Sequence, residues 1–152
     1  MKAGAENVNY RMIEPKDLSE LIEVRGSTRE NAVNREQLRS VGITEESTTA
    51  LLQTTHRGWL CENEGKFVGF AMGNGKTGEV WVLAVLPDFE GKGIGSKLLS
   101  LTEEWLWSAG WKEIWLHTNP DQKVRASHFY RHRGWKDSEN IDGKLFMKKK
   151  KS

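Results

Sequence analysis

Cysteine is almost absent from this chain. A single one, Cys61, occurs in 152 residues, which excludes an internal disulfide and a zinc site built from several thiolates. No charge of one sign dominates: 23 Lys and Arg face 21 Asp and Glu, for a formal net charge of +2. That balance is too even for nucleic acid to be a bulk partner. Long apolar runs are missing as well. None approaches the ~20 residues of a membrane span, so a membrane protein is not expected. Residues 1–9 lack the apolar core of a signal peptide, and the expected address is cytoplasmic. No repeat or low-complexity linker interrupts the sequence. The length predicts one domain over 1–152, with a packed part at about 9–147. The lysine run 148–151 is expected to be a solvated end, because like charges repel and resist ordering.

What is present is spread evenly. Seven tryptophans, Trp59, Trp81, Trp105, Trp107, Trp111, Trp115 and Trp135, are dispersed as core and rim packing requires. Residues 8–13 alternate apolar and polar side chains and predict a strand. Pro15 suits a helix first turn, and Leu18, Leu21 and Ile22 continue at helical spacing. Over 26–42 the periodicity is lost. Thr44 then offers a helix cap, with Glu45 and Glu46 in the first turn, where negative charge is favoured. Runs at 58–62 and 66–72 flank Asn63-Glu64-Gly65, a hairpin signal. The nearly continuous apolar run 79–86 predicts a central strand buried on both faces. A helix follows from Ile94 to a glycine cap at Gly110, with the stripe Ile94, Leu98, Leu101 and Trp105. A strand at 113–117, a helix at about 124–133 and two short strands near Trp135 and at 144–147 complete the order β-α-α-β-β-β-α-β-α-β-β. The fold class is mixed α/β.

The segment Glu90-Gly91-Lys92-Gly93-Ile94-Gly95 lies between a strand and a long helix. The first amides of a helix have no internal partner, and the helix dipole makes that end positive. Glycines let such a backbone approach a phosphate, and Lys92 adds a mobile cation at the rim. The loop is not a P-loop, which needs Gly-Lys-Ser/Thr in that order. It is not the dinucleotide fingerprint either, because Ser96 stands where the third glycine belongs. Tight turning by Gly91, Gly93 and Gly95 alone is the competing explanation.

This loop resembles the coenzyme A loop of the GNAT family of N-acetyltransferases, Gln/Arg-x-x-Gly-x-Gly/Ala. Leu83-Ala84-Val85-Leu86-Pro87 is similar to the family's fourth strand. Ala126-Ser127-His128-Phe129-Tyr130-Arg131-His132-Arg133-Gly134-Trp135 resembles its Ala-x-x-Phe-Tyr-x-x-x-Gly-Phe segment. The resemblance implies a central sheet whose fourth and fifth strands splay apart. It implies acetyl-CoA as co-substrate, an amine acceptor that is a small molecule or a peptide, no metal, and a possible homodimer. The pantetheine arm would pair with the main chain of Leu83, Ala84 and Val85 as an added strand. The phosphates would sit on Glu90, Gly91, Lys92, Gly93, Ile94, Gly95 and Ser96. Two positions depart from the pattern. Glu90 replaces Gln or Arg, and a carboxylate near a diphosphate must point away. Lys123 replaces a frequent asparagine, with Asn119 nearby as a substitute.

The resemblance also assigns the chemistry. A lysine-like amine of pKa ~10.4 is neutral in about one molecule in 2,500 at pH 7, a handicap of about 4.6 kcal/mol that a general base removes. Glu79 sits where histone-type members carry such a base. Strand period two would place Glu79, Trp81 and Leu83 on one face, with Glu79 about 13 Å from Leu83, so a water would relay the proton. Tyr130 holds the position of the phenol that serves the departing sulfur. Cys61 lacks a histidine at motif spacing, which argues against a covalent route. His56, His117, His128 and His132 include an i, i+4 pair without the glutamate of a metalloprotease helix. The acceptor is expected to meet Arg25, Arg29, Glu30, Asn31, Arg35, Arg39, Glu45 and Glu46. Trp59, Trp81 and Trp115 fit either a pocket or strand packing. The same fold holding coenzyme A as a sensor, without turnover, is the alternative function. A weaker third reading has the lysine run binding acidic partners.

Overall fold

The computed structural model describes residues 7–29, 32–121 and 125–152. Seven strands form one sheet: β1 (Val8–Met12), β2 (His56–Asn63), β3 (Lys66–Asn74), β4 (Glu79–Val85), β5 (Glu113–Thr118), β6 (Lys136–Ile141) and β7 (Lys144–Lys150). Five helices accompany them: α1 (Leu18–Arg25), α2 (Arg35–Ser40), α3 (Glu45–Thr54), α4 (Ile94–Ser108) and α5 (Ala126–Arg131). The strand order is β1-β2-β3-β4-β5-β7-β6. Every pair is antiparallel except β4 and β5, which α4 links as a parallel crossover.

Two helices sandwich the sheet. On one face Leu18, Leu21 and Val24 of α1 bury against Leu60, Phe70 and Met72. On the other, Ile94 and Leu98 of α4 cover Cys61, Val68 and Ala71. Further along, Leu99 and Leu106 meet Val80, Ile114, Leu116, Tyr130 and Trp135. The predicted hairpin forms, with Glu64 at φ 52° and Gly65 at φ 82°, both in the left-handed region that a tight two-residue turn demands.

Four expectations need correction. The stretch 26–42 contains a short helix, α2. Asn34 accepts from the Gln37 amide at 2.8 Å and Gln37 Oε1 accepts from the Asn34 amide at 2.9 Å, a reciprocal cap. Only Leu38 of α2 is buried, so no periodic stripe announced it. Second, β4 is central in order, but Trp81, Leu83 and Val85 are half-buried rather than covered on both faces. Third, the register of β3 against β4 shifts between Met72 and Gly73, opposite Trp81. This bulge breaks strict alternation. Trp81 packs with the α1-side cluster, whereas Leu83 packs with the α4-side clusters, so Trp81 and Leu83 do not share a face.

The fourth correction concerns the lysine run. Lys148, Lys149 and Lys150 belong to β7, in register with Trp115, Ile114 and Glu113. Lys149 Nζ donates to Glu103 Oε1 on α4 at 2.8 Å. The run is therefore a strand with one inward lysine, not a solvated end.

Candidate active site

The parallel pair of β4 and β5 is held at a single register point, Glu79 against Trp115. Beyond it the strands part. Among the described residues, Val80–Val85 of β4 and Leu116–Thr118 of β5 line a cleft of about 1220 Å³. Leu83, Ala84, Val85, Glu90, Gly91, Gly93, Gly95, Ser96 and Asn119 all line it, as does Tyr130. These come from most of the predicted coenzyme segment.

At one mouth lies the start of α4. Gly93 caps it at φ 84° and Gly91 sits at φ 73°. A Cβ built on Gly93 meets nothing within 4 Å, so the residue fronts open space. The amides of Gly91 through Ser96 donate to no backbone carbonyl among the described residues. The corner thus presents a row of unspent donors at a positive helix end, the arrangement that binds a phosphate group. Such a donor set suits a diphosphate.

Lys92 and Ile94 do not line the cleft among the described residues. Ile94 is fully buried in the α4-side core, so its amide alone is available. Lys123 lies outside the described residues, as do Glu30 and Asn31. Of the three tryptophans considered for a pocket, only Trp81 lines the cleft. Trp59 packs edge-on against Trp105, and Trp115 stacks on Phe146. Arg35 is occupied in tying the helices together, 3.1 Å from both Glu23 and Glu45.

Glu90 lines the cleft with the glycines, and its carboxylate is engaged by two arginines. Arg125 Nη2 donates to Oε2 at 2.9 Å, and Arg29 Nε lies 3.2 Å from Oε1. The second contact lacks hydrogen-bond alignment, and Oε1 is buried without a hydrogen-bond partner among the described residues. Two arginines are thereby gathered at the glycine mouth of the cleft.

Arg133 was not singled out by its motif, yet it stands beside Ser96. Its Nε donates to Ser96 Oγ at 2.8 Å, and Nη2 donates to the same atom. The guanidinium stacks 3.8 Å from the Phe129 ring centroid, and Nη1 donates to the Phe129 carbonyl at 3.0 Å. The sequence signal was a basic residue just before Gly134. Gly134, at φ 88°, reverses the chain after α5.

Deeper in the cleft, Tyr130 is buried, and burial pushes its phenol up to about 12, with the nearby Arg25 cation opposing. Arg25 also lines the cleft, and burial lowers its pKa. Glu79 lies behind the closed end of the parting strands, next to Val80, and is not part of the described lining. Burial pushes its carboxyl up to about 7, with Lys144 opposing. His117 does line the cleft, and burial and then Lys144 hold its imidazole below the usual range. Cys61 is fully buried on the α4 side and outside the described lining; burial raises its thiol pKa. Among the described residues no group of three or more His, Cys, Asp or Glu could hold a metal ion. None of their helices is long and apolar enough to cross a membrane.

The fold has clear counterparts among solved structures. The sequence matches the profile of the Acetyltransferase (GNAT) family over residues 19–135. The chain belongs to that family. Among solved structures, it is similar to a PaiA N-acetyltransferase from Thermoplasma acidophilum in complex with coenzyme A. That pair has 23% identity and a TM-score of 0.79, covering 95% of this chain and 99% of the other. YncA of Salmonella typhimurium, a putative acetyltransferase with acetyl-CoA, gives 15% identity and a TM-score of 0.75, covering 95% and 94%. The ribosomal-protein-S18-alanine N-acetyltransferase of Escherichia coli gives 18% and 0.73, covering 94% and 93%. No curated protein matches the sequence.

Proposed function

We propose that this protein transfers the acetyl group of acetyl-CoA to a primary amine by direct attack in a ternary complex. The observation that carries the reading is the junction of two features. Strands β4 and β5 part after one register pair, and the open α4 amides stand at the mouth of the gap. The family and its coenzyme-bound relatives support the choice of ligand.

Acetyl-CoA supplies a thioester and an anionic handle. The amides of Gly91 through Ser96 hold the diphosphate, and Arg133 adds a cation beside Ser96. The freed backbone of Leu83 to Val85 binds the pantetheine arm as a strand and directs a donor at the carbonyl oxygen, where negative charge develops. The amine nitrogen bonds to the carbonyl carbon, the carbon–sulfur bond breaks, and its electron pair leaves with sulfur. Glu79 takes the amine proton through water. Tyr130 meets the sulfur. A phenol held near 12 is a weaker acid than a thiol of about 8.5, so it donates a hydrogen bond to the departing thiolate, and solvent supplies the final proton.

Thiol release from acetyl-CoA across an amine panel tests the reading. Tight binding of coenzyme A with no amine-dependent release would favour the sensor alternative.

A base titrating near 7 is half-available at neutral pH, close to the optimum for proton transfer. The carboxylate form is active, so kcat/KM should rise with pH through about 7. Glu79→Gln should abolish that limb and lower the plateau by about a hundredfold, and His117→Gln should leave the limb in place. A limb that survives Glu79→Gln and vanishes in His117→Gln would transfer the role to the histidine.

Glu90→Gln should tighten coenzyme A binding several-fold at low salt, because it releases two arginines toward the phosphates and removes a like charge. Calorimetry reads this directly; weaker binding would mean that the carboxylate is needed to hold the arginines in place.

A further inference from the structure

We infer that the acceptor is an amine that carries a carboxylate on an apolar body, and that Lys144 recognises the carboxylate. This deepens the acetyltransferase reading and rests on it.

The α4 amides take the diphosphate at one side of the sheet. The coenzyme passes between β4 and β5, so the acceptor must arrive from the opposite side. Strand register identifies what faces that side. Ile114 and Leu116 of β5 point into the α4 core. The alternate residues Trp115 and His117, in register with Lys148 and Phe146, point the other way, and Lys144 shares their face by strand periodicity. One wall of the acceptor side is therefore β5 and β7 with His117 and Lys144. The opposite wall is apolar, with Ile22, Leu38, Val41 and Ile43.

The charged groups that line this side are cations, and the acid near Lys144, Glu79, lies just outside the described lining. Lys144 is exposed, yet it lines the cleft and makes no ion pair within 4 Å among the described residues. Arg25 supplies a second cation. Glu90 is the single carboxylate in the described lining, and it stands at the phosphate mouth between Arg29 and Arg125. A polyamine would bring its spare ammonium against these cations, with no acid in the described lining on this side and Glu79 already engaged by Lys144 and by the reacting amine. A carboxylate would find Lys144 beside an apolar surface for its side chain.

The test uses matched pairs that differ only in the carboxylate: L-phenylalanine against phenethylamine, and L-leucine against isoamylamine, with spermidine as the cationic probe. Thiol release is measured at saturating acetyl-CoA, above the Glu79 titration. The expected result is a kcat/KM at least about tenfold higher for the carboxylate member of each pair, with spermidine poorest. Lys144→Gln should shrink that ratio about tenfold through KM, and Lys144→Arg should restore it. Preference for phenethylamine, isoamylamine or spermidine overturns this inference and leaves acetyl transfer standing. So does an unchanged ratio in Lys144→Gln. Acetyl-CoA binding without release by any probe overturns both.

Discussion

Tyr130→Phe is expected to lower kcat by about a hundredfold while leaving coenzyme A affinity within about twofold. The ring is buried between Phe129 and Trp135, 5.4 and 6.0 Å away between centroids. Phenylalanine preserves those contacts, so the fold and the cleft wall survive. Only the hydroxyl is lost. In the wild type that hydroxyl stays protonated throughout the working range, because burial pushes it up to about 12. It is always a donor, and in the proposed mechanism its hydrogen bond strengthens as negative charge accumulates on sulfur. An interaction stronger in the transition state than in the ground state appears in kcat rather than in binding. Steady-state kinetics with a calorimetric Kd for coenzyme A separates the two. Undiminished kcat would reduce Tyr130 to a packing residue, and parallel loss of both would point to a damaged cleft.

Lys149→Met should destabilise the protein by about 2–4 kcal/mol and lower Tm by about 5–15 °C. Glu103 is buried on α4 and has two partners: Lys149 Nζ at 2.8 Å and Trp135 Nε1 at 2.9 Å. Methionine keeps the apolar stem of the lysine and removes its charge. The carboxylate is then left facing a largely desolvated site with the indole alone. Loss of one partner of such a pair costs more than the pair is worth. The double variant Lys149→Met with Glu103→Gln should recover most of the loss, since the amide is neutral and its oxygen still accepts from Trp135. Thermal denaturation of the four proteins closes the cycle. An unchanged Tm in the single variant would return the lysine run to the solvated end that its composition suggests.

These two residues show where sequence reasoning works and where it stops. Tyr130 was legible because a local pattern carries it. The alanine, aromatic pair and glycine of α5 and its turn recur at fixed spacing, and such spacing survives in one dimension. The same holds for Gly91, Gly93 and Gly95 before the stripe of α4, and for the hairpin at Glu64 and Gly65. Helical and strand periodicity, a left-handed glycine and the helix cap at Thr44 are all short-range. Family membership and the glycine corner of the cleft followed from them.

The rest required partners distant in the chain. Arg133 reaches Ser96, Arg125 and Arg29 meet at Glu90, and Lys149 meets Glu103 across 46 positions of sequence. A row of four lysines looks solvated until a strand ladder turns one of them inward. Strict alternation on β4 was overturned by one bulge at Trp81, because an extra residue in the register exchanges the faces beyond it. The sequence by itself determined the elements other than α2, the glycine corner and the aromatic pair, since each depends on interactions between near neighbours. Tertiary structure alone decided which charges face each other, which side of the sheet each strand residue takes, and that Lys144 lines the cleft. Those depend on contacts between segments that no local pattern encodes.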